Sequence, residues 1–143
     1  VMFRIILIIL MVFLFSSCGF SQFIDLRVPS GDQIKVKVSV SSNELAKGLS
    51  KVPSLEAFQG MLFIFDKPKQ ANFWMKEMMF DLDIIFLDEN KKVLEIRANE
   101  VPCQTINECP IIQSKNTAIK YVLEVPAGMA TQYQINNDSI LKW

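Results

Sequence analysis

The stretch LDIIFLDENKKVLEIRANEV, Leu82 to Val101, decides the fold class. Leu82 to Asp88 is a short apolar run rich in Ile and Phe, the composition of a strand. ENKK is a hairpin-type turn. Val93 to Val101 then alternates apolar and polar side chains, the period of two that buries one strand face and exposes the other.

The same pattern continues on both sides. Upstream, Met61 to Phe65 (MLFIF) is an unbroken apolar run, as expected of a strand covered on both faces. Asp66 to Gln70 (DKPKQ) reads as a charged turn, and Ala71 to Met78 as extended chain. Phe23 to Val28 and Ile34 to Val40 alternate as strands around Pro29-Ser30-Gly31-Asp32, a turn signal because Pro presets φ and Gly permits positive φ. SSNELAKGL predicts a short helix: Ser42 or Asn43 can cap it, Glu44 sits in its first turn, and Leu45, Ala46 and Leu49 share a face. Lys51 to Gly60 and Pro102 to Asn116 read as loops. Ala118 to Pro126 is a further strand, AGMATQYQI a short helix, and SILKW closes the chain. Short strands with turn signals every 8–12 residues or so favour a mainly β, β-rich α+β fold. The expectation is a single compact antiparallel sandwich or barrel with one or two short helices, one domain over residues 23–143.

The N-terminus reads differently. Arg4 precedes an unbroken apolar run from Ile5 to Phe15, followed by Ser16, Ser17 and Cys18. A membrane-spanning helix needs about 20 apolar residues, so the run fits a signal-peptide core instead. Small residues before a cysteine at the end of such a run resemble the bacterial lipobox, in which the cysteine is acylated and becomes the new N-terminus. The expectation is a lipoprotein signal over residues 1–17, lipidation at Cys18 and a tether over residues 18–22. An ordinary secretory signal and a short uncleaved anchor are the alternatives. Two or more acyl chains hold a domain stably at a bilayer where one does not. The expected location is the bacterial cell envelope, facing the periplasm or the surface.

Lys+Arg and Asp+Glu number 15 each, and there is no His. Cleavage before Cys18 removes Arg4 alone among the charged residues. No basic excess remains to draw in nucleic acid. The missing histidine removes the commonest general base and metal ligand, and with it the histidine-dependent serine, cysteine and zinc hydrolase schemes.

Several constellations bear chemistry. Cys103 and Cys109, in a Pro-bounded loop of an exported chain, predict a disulfide, with a redox-active or metal-holding pair as alternatives. Met61, Met75, Met78, Met79 and Met129 suit core packing, and soft thioethers also suit Cu(I). Trp74 and Lys76 point the same way from a strand and, with Glu77, Asp81 and Asp83, form a candidate patch for a ligand or partner. Among Asp66, Asp81, Asp83, Asp88, Glu95 and Glu124, both Asp83 and Glu124 lie inside apolar strands, where burial raises a carboxyl pKa unless it is paired.

Five segments together resemble the domain of unknown function 192 family: LAKGLS (Leu45 to Ser50), GMLFIF (Gly60 to Phe65), FWMKEMMFDLDIIFLDEN (Phe73 to Asn90), PC-x5-CP (Pro102 to Pro110) and YVLEVPAG (Tyr121 to Gly128). The family resembles E-R-x-x-G-L-M at the helix, and here that arginine and methionine are replaced. Where the family has Asn-Thr and Pro after W-M-K, this chain has Glu77, Met78 and Asp81. The resemblance implies small, mostly uncharacterised and often exported proteins, and no activity. The leading expectation is a lipid-anchored, non-enzymatic domain that binds an envelope protein or small ligand, with no cofactor, no metal and no catalytic residue assigned. The rivals are a cell-envelope sugar- or lipid-processing enzyme using Asp83 or Glu124, and Met-based copper capture.

Overall fold

The computed structural model describes residues 23–55, 59–103 and 105–143. The signal, Cys18 and tether expected over residues 1–22 lie outside the described residues. Eight strands form in chain order: β1 (Phe23–Arg27), β2 (Gln33–Ser39), β3 (Gly60–Lys69), β4 (Asn72–Phe73), β5 (Leu82–Leu87), β6 (Val93–Glu100), β7 (Ile112–Gln113) and β8 (Ile119–Pro126). Helix α1 (Ser42–Lys47) lies between β2 and β3, and α2 (Met129–Gln132) follows β8. Among the described residues no helix is long and apolar enough to cross a membrane.

Six strands make one sheet in the order β1-β2-β3-β8-β5-β6, and β4 with β7 makes a two-stranded ribbon. The β-rich α+β class is as expected, but the main sheet is mixed rather than wholly antiparallel, and it does not close into a barrel. The parallel pair is β2 with β3, Val36 opposite Gly60 and Ser39 opposite Phe63. A parallel pair needs a crossover of a dozen or more residues, and the segment carrying α1 supplies it.

Both faces of the sheet are covered, and every residue of β5 is buried. On one face Leu26, Ile34, Leu62, Ile85, Leu123 and Val125 pack under α2 and the C-terminal segment. The indole of Trp143 stands edge-on to Tyr121 at 5.1 Å, and the Lys91 ammonium lies 4.2 Å over the Trp143 ring. On the other face Met61, Phe63, Leu82, Ile84, Phe86 and Val122 pack under the chain from Leu49, Ala71, Met75, Met78 and Ile112. Among the described residues, fourteen buried apolar side chains on one face and thirteen on the other give this small sheet two cores rather than one wet side.

Local departures from expectation have physical reasons. Ser41, not Ser42 or Asn43, caps α1: its hydroxyl accepts from the Glu44 amide and the Glu44 carboxylate reaches back to the Ser41 amide. That reciprocal box satisfies two amides that helix geometry leaves free. Asp66 to Lys69 are strand rather than turn, because β3 runs on past a register shift between Ile64 and Lys69 to pair with Ile119. Trp74 and Lys76 do not lie on a strand: β4 stops at Phe73, and Glu77 turns the chain with φ of 56°.

Candidate functional site

Strand alternation puts Glu124 of β8 on the second face, flanked by Met61 on β3 and Ile84 on β5. Its side chain is 4% exposed. The carboxyl oxygen Oε2 is buried and has no hydrogen-bond partner. Burial pushes its pKa up to about 8. An ionised carboxylate costs far more to bury than a neutral carboxyl, so the proton stays on near neutral pH.

Above Glu124 the sheet is incompletely roofed, leaving a pocket of about 340 Å³. That lies at the lower end of the range of ligand sites, roughly 300–1,000 Å³. Two features hold it open. Helix α1 ends at Gly48, whose φ of 49° and ψ of −133° suit glycine alone. A Cβ there would come to 3.3 Å from the Phe63 ring and 3.9 Å from Oε2 of Glu124. Opposite, Phe73 stacks edge-on against Phe63 at 5.1 Å and Phe86 at 6.1 Å, forming an aromatic wall. Phe65, Trp74 and Met78 extend the apolar lining. The exposed Lys47 and Lys69 stand at the mouth, with the Lys69 ammonium 4.1 Å over the Phe65 ring.

The chain on both sides of the pocket is tied together. Ser50 Oγ donates to the Lys76 carbonyl at 3.1 Å. The Lys51 amide donates to the Glu77 carbonyl at 2.9 Å, and their side chains pair at 3.2 Å. Exposed pairs of this kind add at most about 1 kcal/mol, so the backbone bond does most of the fastening.

The expected patch is not brought together. Trp74, 51% exposed, lines both the Glu124 pocket and a shallow hollow that holds Lys76 and Glu77. Asp81 lies in a separate hollow beside Pro126 and Ala127. Asp83 is 1% exposed on the opposite face. Its Oδ1 accepts from the Asn99 amide and its Oδ2 from the Ala130 amide, each at 3.0 Å. It therefore fastens β6 and the first turn of α2 to β5, a task that leaves neither oxygen free.

Cys103 and Cys109 form the expected disulfide, with Cα atoms 5.2 Å apart. Cys103 lines a further hollow with Met75, Glu100 and Pro110, apart from Trp74, Lys76 and Glu77. The methionines divide: Met61, Met75 and Met78 are core on the Glu124 face, Met129 packs on the other, and Met79 is exposed. Among the described residues no three His, Cys, Asp or Glu side chains are placed to hold a metal.

Several residues around this pocket fall within the segments that carry the family resemblance: Gly48 in LAKGLS, Phe63 in GMLFIF, Phe73 and Trp74 in FWMKEMMFDLDIIFLDEN, Glu124 in YVLEVPAG. A family model of DUF192, described as an uncharacterised ACR, matches residues 26–143. The chain belongs to the DUF192 family. A crystallised protein of unknown function from Novosphingobium aromaticivorans DSM 12444 is 28% identical, with a TM-score of 0.76 over 89% of each chain. A protein from Sinorhizobium meliloti 1021, named as a candidate transcription regulator, is 26% identical, with a TM-score of 0.71 over 82% of this chain and 89% of that one. Comparison with curated proteins gives no match. DUF192 thus fixes the lineage of the fold, and the chemistry has to be read from the Glu124 pocket.

Proposed function

We propose that this DUF192 member is a lipid-anchored protein of the bacterial cell envelope whose domain binds a small ligand in the Glu124 pocket without transforming it. One observation carries the binding reading: Glu124, whose buried Oε2 has no hydrogen-bond partner, lines an aromatic pocket. Buried polar groups are normally hydrogen-bonded, and a carboxyl short of a partner beside a cavity has a use for a ligand's polar group. The apolar walls supply affinity, and the carboxyl selects orientation.

Support for the anchor is the run from Ile5 to Phe15 ending in Ser16-Ser17-Cys18. The enzymatic rival draws less support. Sugar hydrolysis by carboxylates needs two of them facing across a cleft. Among the described residues lining the pocket Glu124 is the only carboxylate, and Asp83 is occupied on the other face. The separated methionines weaken the copper reading, and the balanced charge gives little support to a nucleic-acid partner.

Ligand-observed NMR against a library of small aromatic and aliphatic fragments tests the pocket. Bound fragments should be lost with Ala46→Trp, which places an indole on the pocket's exposed wall. Binding undiminished in that variant would remove the pocket from the function. The anchor is tested by Cys18→Ser, which should accumulate as an uncleaved, unacylated precursor; normal processing of that variant would contradict the lipoprotein reading.

A further inference from the structure

The pocket's polar groups are arranged by depth. Glu124 is at the floor, and the lysines Lys47 and Lys69 are exposed at the mouth. Aromatic rings occupy the space between them. Resting on the pocket reading above, we propose that the ligand is an amphipathic organic carboxylate: its acidic group meets Lys47 and Lys69, its aromatic or apolar body lies against Phe63, Phe73 and Trp74, and a hydrogen-bond acceptor at its inner end takes the proton of the Glu124 carboxyl.

The surroundings of Glu124 decide the sign of the ligand's charge. From β3 the nearest side chains are Met61 and Phe63, and the only charged group that strand brings to the pocket is Lys69. Helix α1 brings Lys47, while Glu44 of the same helix is engaged at the exposed capping box. From β5, Ile84 lies beside Glu124 and Asp83 faces away. Glu95 of β6 is two strands distant, its Oε2 accepting from the Lys115 amide at 2.7 Å. Lys76 and Glu77 line the neighbouring hollow instead. Among the described residues no cation lies at the floor to hold Glu124 ionised, and burial pushes its pKa up to about 8. Near neutral pH the floor is therefore a neutral donor, and the charge offered to a ligand is the pair of ammonium groups. A ligand cation would meet two like charges on entry and no fixed anion inside. A ligand anion is drawn in by the mouth and stays solvated there, which avoids the cost of burying it.

This arrangement makes binding depend on pH in a definite direction. Raising the pH through about 8 removes the donor proton and puts a negative charge at the floor, so an anionic ligand loses affinity. A cationic ligand would gain instead.

Calorimetric titration of the full chain in detergent with four probes sharing one ring system tests this. The probes are 6-methoxy-2-naphthoate, 2-naphthoate, the matched primary ammonium (6-methoxynaphthalen-2-yl)methylamine, and neutral 2-methoxynaphthalene. Near neutral pH the methoxynaphthoate should bind best, with the naphthoate lacking the inner acceptor and the ammonium each weaker, the latter by about tenfold or more. Between pH 6.5 and 9.5 or so, affinity for the methoxynaphthoate should fall about tenfold, and Glu124→Gln, which keeps a donor that does not titrate, should abolish the fall. Lys47→Gln with Lys69→Gln should weaken the two carboxylates and leave the neutral probe unchanged. Preference for the ammonium, or wild-type affinity for the carboxylate that is flat with pH, overturns the inference while sparing the pocket. Failure of all four probes to bind overturns both.

Discussion

Gly60 and Glu124 meet backbone to backbone: a Cβ on Gly60 would lie 2.5 Å from the Glu124 carbonyl oxygen and 2.9 Å from a Val125 methyl. The first contact cannot relax by a side-chain rotation. Gly60 starts β3, pairing in parallel with Val36 of β2 while β8 runs along its other side. Gly60→Ala should therefore push β3 from β8 where the site is built. A loss of about 3 kcal/mol, the upper end of the cost of overpacking, is expected in urea denaturation. A loss below about 0.5 kcal/mol would mean that the strands are not held at this separation.

Glu124 itself gives a pH signature. Its folded pKa of about 8 lies above the ordinary 4.5. A raised carboxyl favours the folded state fully below the unfolded pKa, and that contribution is lost as pH rises. Between pH 4.5 and about 8 the folded chain holds a proton that the unfolded chain has released, so stability declines across this window. Denaturation midpoints measured at intervals across it should fall by a few kcal/mol in equivalent free energy, and Glu124→Gln should flatten the trend. Identical pH profiles for the two proteins would contradict a buried, unpaired carboxyl.

Asp83 should behave as a fastening for β6 and α2. Asp83→Ala orphans the Asn99 and Ala130 amides, and a cost of about 3 kcal/mol is expected. Ligand binding in the Glu124 pocket should survive, because Asp83 lies on the other face. Hydrogen exchange of the Ala130 amide should accelerate more than that of the Leu123 amide in the middle of the sheet. Equal acceleration of both would point to global unfolding rather than release of α2.

The disulfide closes a small loop next to the Met75 backbone, where the Cys103 amide donates to the Met75 carbonyl at 3.2 Å. Replacing both cysteines by serine should cost about 2–3 kcal/mol on the chain-entropy model. The pocket lining does not include either cysteine, so fragment binding should be retained at temperatures where the variant is folded.

Much of this fold was legible as alternation. The periods of β1, β2 and β6 stand in the sequence, and so does the buried run of β5. Strand direction was not legible, because a side-chain period of two is the same in a parallel and an antiparallel pair. That β2 and β3 are parallel depends on how the α1 segment crosses over. The site was half visible. Asp83 and Glu124 both stood out as carboxylates inside apolar strands, but sequence could not separate their fates. Asp83 meets two backbone amides because α2 docks on its face; Glu124 meets none because Gly48 and the aromatic wall leave a space over the other. The residues of the expected patch stand apart for a related reason. Ala71 to Met78 reads as extended chain, but the backbone turns at Glu77, so Trp74, Lys76 and Glu77 line one hollow, Asp81 lines another, and Asp83 is buried on the opposite face.

The pocket is tested most directly by intermolecular NOEs from a bound aromatic fragment to the isotope-labelled chain. Contacts to the Gly48 α protons and the Phe63 and Phe73 rings, lost in Ala46→Trp, are predicted. Contacts confined to Lys76, Glu77 or Asp81, with none to Gly48 or Phe63, would contradict a binding site over Glu124.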